Sequence, residues 1–285
     1  MFGKRADGRR VKNIDPLMHL IPFIMTKRSD SQIFLSADFD CDNLDGYIRE
    51  QAERGVKLTY MDIALAAVVR TIAQRPSLNR FVMKGRIFAR PKIWVSLSVH
   101  RSLRGDQAET TIKAEFTGHE SIHDIAAEMN RLIEENTAAA SNNDTDKLAK
   151  TIMSIPLPLI GFSVGFLKFL DRRGILPKSI IEASPFHTTL FFTNMKSIGV
   201  GGIYHHIYDF GTTGIFLSMG KEQNKVVPDR AGNAVVKKML PFGLVADERF
   251  CDGLYYARSM RLFYKYMSDP SLLEQRLDKV EQDVR

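Results

Sequence analysis

Three stretches of the chain carry residue types able to do acid–base or metal chemistry. In LVADERFCDGL, residues 244–254, an apolar run stops at Asp247-Glu248-Arg249 and resumes after Asp252-Gly253. Three consecutive ionisable side chains at the end of a strand need partners, solvent or a cleft, so this segment reads as a charged surface turn or as a site. In GGIYHHIYDFG, His205-His206 is followed by Asp209, a carboxylate able to fix an imidazole tautomer for general-base work. Tyr204 and Tyr208 make a hydrogen-bonded structural turn an equal reading. His119-Glu120-Ser121-Ile122-His123 fits the His-Glu-x-x-His pattern of zinc sites. Gly118 and Ser121, however, place a helix start at Ser121, so the two rings do not share a face. No third ligand follows, and no metal is expected.

Strands and helices must position these groups. SQIFLSADFD, residues 31–40, alternates as a half-buried strand, and Asp42 or Asn43 is expected to cap the following helix, which Gly55 ends. Thr59 and Asp62 open a core helix that stops at Pro76. A hairpin is expected at Lys84-Gly85, with strands over 93–100 and 110–117. A helix capped by Ser121 with Asp124 follows. Further strands are expected over 188–194, 213–219 and 241–246, and a closing helix over 258–267 before Asp269-Pro270. The glycines of IGVGG open no helix, which argues against a phosphate-cradling fingerprint.

Three regions read as irregular. Residues 1–15 form a basic arm, residues 14–23 are broken by Pro16 and Pro22, and residues 138–147 form a polar loop. Residues 152–170 are nineteen in number with one charge; Pro156, Pro158, Gly161 and Gly165 argue against a span. A buried or intersubunit segment is expected there, with contact to a membrane surface as the alternative.

A chain of 285 residues with 44% hydrophobic and 26% charged residues folds around a real core. Forty Lys+Arg against 33 Asp+Glu favour an anionic partner, but no nucleic-acid motif accompanies them. Cys41 and Cys251 lie far apart, as in a reducing compartment, and no apolar segment follows the basic start as in a signal peptide; a cytoplasmic protein is expected.

The ordered set LNRFVMKGRIFARPKIWVSLSVH (78–100), FFTNMKSIGVGG (191–202) and VADERFCDGLYYARSMRLFYKYMSDPSLLE (245–274) resembles the chloramphenicol acetyltransferase-like family. That family includes the catalytic domain of the dihydrolipoyl acyltransferases of 2-oxo acid dehydrogenase complexes. The resemblance covers nearly the whole chain. It implies an α/β fold, a two-layer sandwich of mixed sheet and helices, as one domain over 1–285 forming a homotrimer with the site between subunits. It also implies acyl transfer from acyl-coenzyme A to a small-molecule thiol or hydroxyl, with coenzyme A as substrate rather than resident cofactor. By position, Thr193 matches the oxyanion donor, with Asn194 beside it. Asp247, Arg249, Asp252 and Gly253 match the structural frame, in which the Asp252 carboxylate makes a supporting ion pair. The family's catalytic histidine is replaced by Glu248. A desolvated carboxylate could serve as base there, or His205 or His206 could supply an imidazole; His187, six residues along the strand from Thr193, is too distant. No lipoyl domain precedes the catalytic region, which suggests a free-standing enzyme. A trimeric binding or scaffold homologue that lost its chemistry with the histidine is the alternative.

Overall fold

The computed structural model describes residues 4–100, 109–137 and 143–284. In chain order the elements are β1 (Lys4–Arg5), β2 (Gly8–Arg10), α1 (Pro16–Ile24), β3 (Gln32–Asp40), α2 (Cys41–Glu53) and α3 (Tyr60–Gln74). Then come β4 (Arg80–Met83), β5 (Arg86–Ala89), β6 (Ile93–His100), β7 (Glu109–Phe116), α4 (Ile122–Thr137), α5 (Asp144–Met153), α6 (Leu157–Arg173) and α7 (Lys178–Ala183). The chain closes with β8 (Leu190–Asn194), β9 (Ile215–Met219), β10 (Gln223–Pro228), β11 (Ala234–Asp247) and α8 (Gly253–Ser268).

A seven-stranded mixed sheet organises the molecule, in the order β10-β11-β9-β8-β6-β7 with β3 on the other edge of β11. β8 runs parallel to both β6 and β9, and the remaining pairs are antiparallel. Register decides which side chains face which way. One row, Leu35-Leu244-Leu217-Phe192-Leu97-Ile112, faces the helices and joins the main core with Ile63, Val69 and Ile72 of α3. The adjacent row, Phe34-Val245-Phe216-Phe191-Ser96-Lys113, must point the other way, because strand side chains alternate. On that outer face Ile207 and Tyr208 of the segment joining β8 to β9 pack on Phe191, Phe216 and Val245.

Local chemistry explains most element boundaries. The Thr59/Asp62 box caps α3 as expected, and Ser121 with Asp124 forms the same reciprocal pair before α4. Lys84 and Gly85 both take positive φ, 51° and 69°, the pair of left-handed residues a two-residue hairpin turn needs.

Other expectations fail. Residues 4–15 are no loose arm: β1 and β2 extend a four-stranded sheet onto β5, and Arg5 is buried between Asp7 at 2.8 Å and Asp171 at 2.6 Å. α1 forms despite its prolines, since Pro16 occupies the first turn, where no donor is needed, and Asp15 caps Leu17 N at 2.7 Å. Asp40, not Asp42 or Asn43, caps α2. Asn143 caps α5, which begins inside the expected polar loop; residues 138–142 of that loop lie outside the described residues.

β11 is far longer than expected and pairs with an unanticipated β10. Its outer part, with exposed Val236 followed by Lys237 and Lys238, has the character of an edge ribbon rather than a core strand. α8 begins five residues earlier than expected because Asp252 caps it. Residues 152–170 are not buried within the chain: α6 packs Leu167 and Leu170 on Trp94, Leu176 and Ile181 and leaves its other face bare. Among the described residues no helix is long and apolar enough to cross a membrane.

Candidate functional site

The end of β11 holds a buried ion lattice. Asp247 accepts from Arg249 Nε at 2.8 Å, a second guanidinium nitrogen at 2.7 Å and its backbone N–H at 3.1 Å. The Ser31 hydroxyl donates to the same carboxylate at 3.2 Å, and Arg28 Nε stands 3.5 Å away. All four side chains are buried. Arg28 also donates to the Tyr208 and Gly211 carbonyls, which ties the outer-face segment to this lattice. Burial pulls Arg28 below the usual guanidinium value, against the opposing charge of Asp247. Tyr256 of α8 donates to the Asp247 carbonyl at 2.7 Å.

Glu248 is half-buried and its N–H donates to the Ser31 carbonyl at 3.0 Å; its carboxylate takes no hydrogen bond or ion pair among the described residues. The ion pair expected at Asp252 is not found there. That carboxylate accepts from Tyr255 N at 2.8 Å as the cap of α8, and the supporting pair is made by Asp247 instead. Gly253 is exposed, and a Cβ on it would meet nothing within 4 Å, so neither strain nor close approach demands a glycine. Cys251 is buried beside this segment, and burial pushes its thiol far above the ordinary value, which leaves it inert as a nucleophile.

A second polar group lies at the end of β8. Thr193 shares the outer face with Phe191 and pairs with Ser218 of β9. Its hydroxyl is half-buried and reaches only the Met195 sulfur, at 3.7 Å. Next to it the Asn194 side-chain oxygen is buried without a hydrogen-bond partner. Ser218 is occupied, bonding both the N–H and the carbonyl of Ile203.

The outer-face segment lays His205 flat on Phe216, with ring centroids 4.1 Å apart and planes within 8°. Phe216 is one strand over from Thr193 and two positions back, a diagonal of roughly 8 Å. His205 Nδ1 stands 2.9 Å from the His206 carbonyl, which can only accept. The neutral ring therefore carries its proton on Nδ1 and presents a lone pair at Nε2. His206 is exposed and meets Tyr208 edge to face. The expected Asp209–histidine contact is absent: Asp209 accepts from the Arg28 and Ser29 N–H groups and the Ser29 hydroxyl.

These two groups do not meet within one chain. Thr193 is level with Ser218, and Ser218 with Gly243; Glu248 lies five residues further along β11. That is about 16 Å along the strand and about 10 Å across it, or roughly 19 Å in all.

The remaining histidines do other work. His119 precedes α4, and its ring meets the Leu277 carbonyl at 2.6 Å, so it does not share a helical face with His123. His187 is buried, with Nδ1 at 2.8 Å from the Ser184 hydroxyl and Nε2 at 3.3 Å from Asp171. The Ser–His–Asp set has no exposed member and joins the Arg5–Asp7 pair, so it acts as a structural tie. Lys113 donates to the carbonyls of Ile181 at 2.8 Å and Ser184 at 3.2 Å, capping the end of α7 beneath the Trp94 ring. Burial, and then the charge of Arg90, push Lys113 down to about 7. Sequence reasoning missed Arg28, Ser31, Ser218 and Tyr256: the pairing of β3 with β11 brings Arg28 and Ser31 to Asp247, α8 brings Tyr256, and the pairing of β8 with β9 brings Ser218 to Thr193.

Mixed sheet and helical face together define the chloramphenicol acetyltransferase-like fold, as carried by the catalytic cores of dihydrolipoyl acyltransferases. A probable dihydrolipoamide acetyltransferase of Listeria monocytogenes is similar over 91% of this chain and 94% of its own, at 17% identity and a TM-score of 0.55. The dihydrolipoamide acetyltransferase of Azotobacter vinelandii is similar over 92% and 93%, at 15% identity and a TM-score of 0.56. A chloramphenicol acetyltransferase is similar over 91% and 98%, at 14% identity and a TM-score of 0.50. No family model matches the sequence, and no curated protein matches it.

Proposed function

We propose that this protein transfers an acyl group from a coenzyme A thioester to the thiol or hydroxyl of a small-molecule acceptor, at a site closed between copies of a homotrimer. One observation carries the reading: over a single sheet face stand a hydroxyl with no oxygen or nitrogen partner among the described residues, Thr193, and an imidazole whose Nδ1 meets a backbone carbonyl, His205. His205 Nε2 takes the proton of the acceptor. The acceptor sulfur or oxygen then attacks the thioester carbonyl carbon, and the Thr193 hydroxyl donates to the oxyanion. Collapse of the tetrahedral adduct breaks the carbon–sulfur bond, and the departing coenzyme A thiolate recovers the proton from the imidazolium.

Glu248 lies too far from Thr193 along the sheet to serve the same site within one chain; in the trimer we propose, the Asp247–Arg249 end of one protomer faces the β8 end of the next. The net charge of +7 suits the phosphates of coenzyme A.

A second reading rests on Glu248 itself. With a carboxylate where the family places its histidine, the fold could serve as a trimeric binding protein without chemistry. Free thiol release from a panel of acyl-coenzyme A donors separates the two: release is expected. No release with any donor or acceptor, together with no coenzyme A binding by calorimetry, would leave only the scaffold. A monomer in native mass measurement would contradict both.

A further inference from the structure

α6 is apolar on two faces, and only one is covered. Leu167 and Leu170 pack against the protein, and Asp171 turns inward to Arg5. On the adjoining, solvent-facing side Leu159, Phe162, Phe166 and Phe169 recur at i, i+3, i+7 and i+10, which places all four in one stripe about 15 Å long. All are exposed, Phe162 to 75% and Phe166 to 52%. A helix that is apolar nearly all round asks for cover on both sides.

Charge identifies the cover. Residues 155–167 carry no charged side chain, and the helix then ends in Lys168, Arg172 and Arg173, all exposed. Arg172 and, further round the helix, Lys168 lie to one side of the stripe, and Arg173 closes it with its guanidinium 4.8 Å from the Phe169 ring. Asp171 is the one acid of the helix, and it is buried. The solvent side of α6 is therefore apolar and aromatic with a purely cationic margin.

We infer that α6 docks on an anionic lipid surface, its phenylalanines in the headgroup–acyl boundary and its cations among the phosphates. A second copy of the chain fits less well. The four side chains offer on the order of 450 Å², against about 800 Å² per partner in a stable interface. The inference does not depend on the acyltransfer reading.

Flotation with lipid vesicles tests it. The full chain is expected to rise with vesicles of phosphatidylglycerol and phosphatidylcholine and to stay at the bottom with phosphatidylcholine alone. Phe162→Ser with Phe166→Ser should cut binding at least about tenfold. Each of Lys168→Gln, Arg172→Gln and Arg173→Gln should cost about fivefold, and added salt should weaken binding. These three residues are exposed cations at the end of the helix, so their variants keep the fold and read the interaction even if the phenylalanine pair does not. Failure of the wild-type chain to rise with anionic vesicles overturns the inference, as does binding unchanged by the glutamine variants. A smaller native mass of the phenylalanine variant without vesicles assigns the stripe to a second copy and overturns it too.

Discussion

The two ends of the central sheet were built for opposite purposes. At the end of β11, Arg249 and Ser31 bond the Asp247 carboxylate and Arg28 Nε stands 3.5 Å from it, so that two buried guanidinium groups share one buried carboxylate. At the end of β8, Thr193 and Asn194 present a hydroxyl and an amide oxygen without polar partners, beside an imidazole lying on Phe216. The first arrangement holds a shape, while the second has bonding capacity to give to a substrate. The family resemblance drew attention to the first, because its motif lies there; the proton chemistry we propose lies at the second.

If that contrast is right, damage to the two ends should register in different measurements. Asp247→Ala strands two buried guanidinium groups and should cost about 3–5 kcal/mol of stability in denaturant unfolding. Thr193→Val should leave stability within about 1 kcal/mol and lower kcat roughly 10²–10³-fold. A stability loss at Thr193 as large as that at Asp247 would erase the distinction.

A smaller effect sharpens the comparison from a third position. The folded pKa of Lys113, about 7, lies below the value of an unfolded lysine, so between them the unfolded chain binds more protons and stability rises with pH. Thermal melts from neutral to mildly alkaline pH should show that rise, and Lys113→Met should flatten it while costing about 1 kcal/mol through the carbonyls of Ile181 and Ser184.

Much of the scaffold was legible in the sequence. The Thr59/Asp62 and Ser121/Asp124 boxes, the Lys84-Gly85 turn and the alternation of residues 93–100 are local signals, and each produced its element. The order of three motifs gave the fold, which the solved structures bear out. Long-range assembly was not legible. Nothing near Arg28 announces that it meets Asp247, and nothing in His205-His206-Asp209 says that the carboxylate turns to Ser29. The N-terminal strands were hidden because a basic tripeptide carries no hydrophobic period; Arg5 is buried through ion pairs instead. The β10–β11 ribbon escaped notice because its doubled valines, Val226-Val227 and Val235-Val236, lack the period-two alternation of a half-buried strand.

The central claim is that the base sits with Thr193 on the outer face and not at the motif's own position. Steady-state thiol release from acyl-coenzyme A by His205→Ala and Glu248→Ala, measured across pH, tests it directly. The account predicts a loss of about 10²–10⁴-fold for His205→Ala and less than about tenfold for Glu248→Ala. The reverse pattern, with Glu248→Ala inactive and His205→Ala near wild type, would contradict it and return the chemistry to the end of β11.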